Sequence, residues 1–220
     1  MIDLPDFSKA FEYENNFYLS CDITRFSKFM AHYELYRMAH ELPGEIVECG
    51  VFKGASLVRF AGFRDLLGNP FSHRIIGFDI FGDFPETDFE EDVEYRERFV
   101  RGAGLSSISV EQLEKVLVNK GIEKNVELVA GDITKTVPEY VKNNPHLKIS
   151  LLNLDTDIYE PAVTILENLY PRMVKGGVLI LDDYGTFPGE TRAVDDYFKG
   201  TNIRIKKFPF AMTPSYIIKE

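Results

Sequence analysis

The sequence predicts a doubly wound α/β protein, with a mostly parallel seven-stranded sheet, a C-terminal β-hairpin and an N-terminal helical arm. Three observations lead there. Short apolar runs recur at Glu45 to Val51, Arg74 to Ile80, Asn125 to Asp132, Ile149 to Asp155 and Val178 to Asp183, as strands buried on both faces of a parallel sheet do. Helical spacings separate them, which implies right-handed βα crossovers. Two closing stretches, Ile203 to Phe208 and Ser215 to Lys219, alternate like the strands of a hairpin.

In chain order, residues 1–23 are rich in aromatics (Phe7, Phe11, Tyr13, Phe17, Tyr18) without a clean period and read as an arm or lid. Thr24 is placed to cap a helix running to about Leu42, ended by Pro43-Gly44. The first strand turns through Phe52-Lys53-Gly54-Ala55-Ser56 into a helix from Leu57 to Leu67, closed by Gly68. After the second strand comes an acidic connection, Phe81 to Asp92. It is longer than an ordinary βα loop and reads as a solvated charge run. Ser109 and Gln112 form a capping-box pattern for a helix ending near Lys120-Gly121. Short helices are expected from Pro138 to Asn144, from Ala162 to Tyr170 behind Pro161, and from Arg192 to Phe198. Residues 1–43 are thus assigned to the arm and 44–220 to the sheet, within one structural domain.

With 220 residues, 45% of them hydrophobic and 13% aromatic, the chain has enough apolar mass for a sizeable single core. A net charge of −10 argues against nucleic acid, whose phosphates demand a lysine and arginine footprint. Cys21 and Cys49 are too few for a disulfide framework, and Cys49 lies inside a strand pattern as a small buried residue. The N-terminal residues lack the basic region and apolar core of a signal peptide, and no uninterrupted apolar run is long enough to span a bilayer. A cytoplasmic protein is expected.

The chemistry is written at the strand exits. Leu151-Leu152-Asn153-Leu154 ends in Asp155-Thr156-Asp157, and Gly177 to Leu181 ends in Asp182-Asp183. Ligands of open α/β sheets bind at such exits. If the two strands are neighbours, four carboxylates share one crevice and call for a cation or protons. The first βα turn reads Glu48-x-Gly50-x-x-x-Gly54-x-Ser56. It is neither the dinucleotide fingerprint, because Phe52 stands where a glycine is required, nor a phosphate-binding P-loop. Its glycines still allow a ligand close to the backbone. Asp79, at the end of the second strand, is placed for the two hydroxyls of a ribose, and Asp132, at the third, for an adenine amino group. His32, His40, His73 and His146 show no metal-ligand spacing, so packing or surface roles are expected of them, with a place facing the acceptor as the alternative for His32 on the N-terminal helix. Tyr159 and Tyr184 flank the acids and either line a pocket or pack the core.

These residues resemble the metal-dependent class I methyltransferases, and Asp155 and Asp182 are spaced much as in catechol O-methyltransferases. The segments Val47 to Gly54, Phe78 to Pro85, Leu154 to Glu160 and Asp182 to Gly185 resemble more closely the macrocin O-methyltransferase family, which methylates sugar hydroxyls. That resemblance implies S-adenosyl-L-methionine as cofactor, with Glu48, Gly50, Phe52, Gly54, Ser56, Asp79 and Asp132 at its site. It implies Mg²⁺ on Asp155, Asp182 and Asp183, with vicinal sugar hydroxyls completing the shell, and Asp157 as general base. A small-molecule sugar acceptor and a homo-oligomer follow as expected partners. The competing readings are a metal-dependent nucleotide-sugar glycosyltransferase or phosphatase using Asp155-x-Asp157, and a nucleoside-binding assembly subunit without turnover.

Overall fold

The computed structural model describes residues 2–220. Its sheet has the strands β1 (Glu45–Cys49), β2 (Ile75–Asp79), β3 (Val126–Ala130), β4 (Ile149–Leu154), β5 (Met173–Leu181), β6 (Lys206–Lys207) and β7 (Ser215–Ile218), in the order β3-β2-β1-β4-β5-β7-β6. The first five are parallel. β7 runs antiparallel and slots between β5 and β6, so the expected hairpin inserts its second strand into the sheet rather than extending the edge. The strand order reverses between β1 and β4, which makes the crevice above their C-terminal ends the natural ligand site.

Alternation along the strands explains why every residue of β4 is buried. Leu152 and Leu154, with Val47 and Cys49 of β1, face one apolar cluster, while Leu151 and Ile46 face the other. Helices α6 (Ile133–Asn143), α7 (Tyr159–Asn168) and α8 (Pro188–Phe198) cover the first side. Helices α2 (Ile23–Ala39), α3 (Ala55–Leu67) and α5 (Val110–Lys120) cover the second. The capping box at Ser109 and Gln112 is formed, and Gly121 closes α5 in the left-handed conformation.

The arm is helical as expected, and its α1 (Ala10–Ser20) has no buried residue. Several expectations are corrected. The cap of α2 is Asp22, whose side chain accepts from the Thr24 amide, because the chain is still extended at Asp22 and already helical at Thr24. The acidic connection is a loop only to Phe89. From Glu90 it becomes α4 (Glu90–Ala103), a highly charged helix whose narrow apolar face, with Tyr95 and Phe99 one turn apart, is masked in the sequence by the acidic run before it. α6 starts five residues before Pro138, capped by Asp132, and α8 starts at Pro188 rather than Arg192. Among the described residues, no helix is long and apolar enough to cross a membrane.

Candidate active site

The turn after β1 is held by backbone geometry. Gly50 has φ +94°, and a Cβ there would lie 1.6 Å from the Asp155 carbonyl oxygen, so the chain leaving β4 passes where no side chain fits. Val51 and Phe52 both donate their amides, at 2.9 Å, to Asp79 Oδ2. Asp79 Oδ1 accepts from the Phe81 amide at 2.6 Å and from Ser107 Oγ at 3.2 Å. Burial pushes this carboxyl upward, against the pull of those four bonds. Asp79 thus ties the glycine turn to the exit of β2, and a ligand hydroxyl would share oxygens already in use.

A cleft of about 800 Å³ opens above these turns. Gly50, Phe52, Ser56, Asp79 and Asp132 line it, as do Asp155, Asp157, Asp182 and Asp183. Glu48 and Gly54 do not: Glu48 is fully buried behind the wall, where one oxygen accepts from Asn153 Nδ2 at 3.1 Å and the other has no partner. Burial pushes its carboxyl up to about 8. Asp132 spends Oδ1 on the Thr134 amide and hydroxyl and Oδ2 on Lys135. Tyr159 stacks on Phe89, and Tyr184 donates to Asp195, so neither tyrosine belongs to the lining.

Strand register assembles the acids. Leu154 pairs with Leu181, so the next residue on each strand, Asp155 and Asp182, stands side by side with the other; the Asp182 amide donates to the Leu154 carbonyl. Carboxylate oxygens of Asp155, Asp182 and Asp183 lie within 4.8 Å of one another. Asp157 follows in a tight turn with φ +64°, closed by the Ile158 amide on the Thr156 carbonyl at 2.6 Å, a conformation seldom adopted outside glycine. Burial and then the neighbouring carboxylates raise Asp155 and Asp157 far above the ordinary range. Asp182 is the exception. Burial works to raise it, but Lys28 and His32 outweigh that and hold it well below.

Of those two partners, sequence reasoning missed Lys28 and expected His32 to pack or lie on the surface, with an acceptor-facing place as the alternative; it also missed two buried acids. Lys28 Nζ donates to Asp182 Oδ2, and His32 Nε2 lies 3.3 Å from Asp182 Oδ1 while its ring stacks on Phe60. They sit four apart on α2, and that spacing was the one signal available for them. Glu190 is fully buried; its Oε1 accepts from the Asp183 amide at 2.9 Å, and its own amide donates to the Asp157 carbonyl. Asp92 is also fully buried. It accepts from the Tyr159 amide at 2.9 Å and the Gly189 amide at 2.7 Å, so one carboxylate caps α7 and α8 together.

The family model described as Macrocin-O-methyltransferase (TylF) matches residues 24–209. The chain is 30% identical to the 8-demethyl-8-(2,3-dimethoxy-alpha-L-rhamnosyl)-tetracenomycin-C 4'-O-methyltransferase of Streptomyces olivaceus, over 67% of this chain and 55% of that protein. It is 28% identical to the demethyldecarbamoylnovobiocin O-methyltransferase of Streptomyces niveus, over 73% of this chain and 60% of that one. The chain therefore spans a little over half the length of these curated relatives. Among solved structures, a calicheamicin methyltransferase superposes with a TM-score of 0.77 at 29% identity, covering 94% of this chain and 84% of its own.

Proposed function

The chain belongs to the macrocin O-methyltransferase family, and on that premise we propose that it transfers a methyl group from S-adenosylmethionine to a hydroxyl of a sugar, with Mg²⁺ held by Asp155, Asp182 and Asp183. One observation carries the reading. Three carboxylates converge within 4.8 Å in a cleft that is also lined by the glycine turn and Asp79. A set made only of carboxylate oxygens suits a hard cation. The cluster's need for positive charge is visible in Lys28, which already lies on Asp182.

When bound, the cofactor provides the methyl group and the cation acts as a Lewis acid on the acceptor hydroxyl. The chain's own residues do the rest. Asp157 receives the hydroxyl proton as general base, with Glu190 holding its carbonyl and so the orientation of its turn. Gly50 makes room for the chain leaving β4 and so sets Asp155 against the glycine turn, while Asp79 faces the ribose and Asp132 the adenine amino group. Phe52 and Ser56 complete that wall, with Glu48 and Gly54 supporting it from behind. Holding donor and acceptor in line across the cleft contributes the remaining acceleration. The tetracenomycin relative is named for methylation of a rhamnosyl compound, which favours a deoxysugar acceptor, free or attached to a larger product. Self-association through the exposed aromatic arm belongs to the same proposal.

Calorimetric titration with S-adenosylhomocysteine, and turnover on sugar acceptors with and without a chelator, test it. Binding of the sulfur nucleoside and activity that chelation removes are expected. Absence of binding, or activity indifferent to chelation, would overturn the cofactor or the metal assignment respectively. For Asp157→Asn, retained divalent affinity with turnover lowered by about 10²- to 10⁴-fold is expected, and near-wild-type turnover would remove its role as base.

A further inference from the structure

Four cationic side chains line the cleft: Arg25, Lys28, Lys53 and Arg59. Two are engaged, Lys28 with Asp182 and Lys53 with the Ala103 carbonyl. Arg25 is exposed on the first turn of α2, where water satisfies a guanidinium. Arg59 is different. It is half-buried in the wall, one helical turn after Ser56 on α3, and among the described residues nothing accepts a hydrogen bond or ion pair from it. Arg64, farther along the same helix, shows how this fold treats a buried guanidinium when its role is structural: Asp65 and the carbonyls of His73, Asn125 and Ile122 take up its donors. A guanidinium offers five donors in a rigid fork suited to an oxyanion, and leaving it partly desolvated without one is costly.

The place of Arg59 says which oxyanion. Resting on the methyltransferase reading, with Asp79 at the ribose and the acid cluster at the acceptor, the amino-acid end of the cofactor must lie between the two. Arg59 fits that place: it stands on the helix that leaves the glycine turn, one turn after Ser56, and lines the same cleft as Gly50, Asp79, Asp155 and Asp182. We infer that Arg59 is a cofactor-binding residue that pairs with the carboxylate of the amino-acid moiety of S-adenosylmethionine. The cluster acids cannot serve as its permanent partners once they hold a cation, so the cofactor carboxylate also balances Arg59 in the loaded site.

Ligand truncation tests this. Wild-type protein and Arg59→Met are titrated calorimetrically with S-adenosylhomocysteine, with 5′-methylthioadenosine, which keeps the nucleoside and the thioether but has no carboxylate, and with thymidine diphosphate. Arg59→Met is expected to weaken S-adenosylhomocysteine by about 10- to 100-fold, the range for a charge-assisted pair, and to leave 5′-methylthioadenosine within about threefold; Arg59→Lys should recover part of the loss. Equal weakening of both thioethers, or no weakening, overturns the assignment, because both would mean that Arg59 acts through packing or not at all. Selective loss of thymidine diphosphate overturns it in favour of an acceptor phosphate. If wild-type protein binds neither thioether, the cofactor reading fails and this assignment falls with it. Should Arg59→Met not fold, Arg59→Lys carries the same comparison, since a flexible ammonium cannot form the bidentate pair.

Discussion

Lys28 and Glu48 show how single residues set the electrostatics of the site. Lys28 occupies the place in the charge balance that a divalent cation would take, since its ammonium lies on Asp182 and feels Asp155 and Asp183. A cation entering the cluster competes with it. Lys28→Met should therefore tighten Mn²⁺ binding measured by calorimetry and lower the thermal midpoint in chelator, because the acids lose their internal counter-charge. Unchanged affinity would show that ammonium and cation do not share the site. Glu48 works in the opposite sense. Burial raises its carboxyl from 4.5 to about 8, so the folded state keeps a proton that the unfolded chain releases, and the wild type loses stability from this group as pH rises between those values. Glu48→Gln removes that loss. Its thermal midpoint should gain on the wild type steadily from pH 4.5 to 8, and a constant difference across that window would contradict the buried protonated state.

At the scale of elements, the decisive contact is the one between α4 and the two helices that follow the acids. Asp92 caps α7 behind Asp157 and α8 behind Asp183, while its neighbour segment, Phe84 to Asp88, lines the cleft and is held by Glu160 through Thr87 Oγ1 and the Asp88 amide. Gly189 completes the fit, since a Cβ there would fall 1.9 Å from Asp92 Oδ2. Asp92→Asn turns one acceptor into a donor facing an amide. It should cost about 2 kcal/mol of stability, the scale of one buried hydrogen bond to a charged group, and loosen α4, read as faster hydrogen exchange over residues 90–103. Exchange at the wild-type rate would mean that α4 is held by its other contacts. Nothing in the composition of Glu90-Glu91-Asp92 distinguishes the buried acid from its solvated neighbours, which is why the run reads as a surface feature.

At the scale of the molecule, the strand order and the arm matter most. The arm exposes Phe11, Leu19 and Ile23 at 78%, 86% and 76%, an apolar surface that a lone monomer has little reason to keep. If copies associate through it, Leu19→Asp should shift sedimentation toward the monomer without altering affinity for S-adenosylhomocysteine; an unchanged sedimentation profile would place the contact elsewhere. The sheet itself shows how far pattern reaches. Five strands, the acids at the exits of four of them and the Ser109 cap were legible because apolar strand runs and helix capping leave local signatures, although β3, at the sheet edge, is only half-buried where burial on both faces was expected. The sequence by itself therefore determined the α/β class, the family resemblance and the roll of acids at the strand ends. Only the tertiary structure decided that Leu154 registers with Leu181 so that Asp155 and Asp182 meet, that Lys28 and His32 reach them from a distant helix, that Glu48 lies behind the wall, and that Asp92 is buried. These are long-range facts, set by strand register and by which helix packs on which face, and a local pattern contains neither.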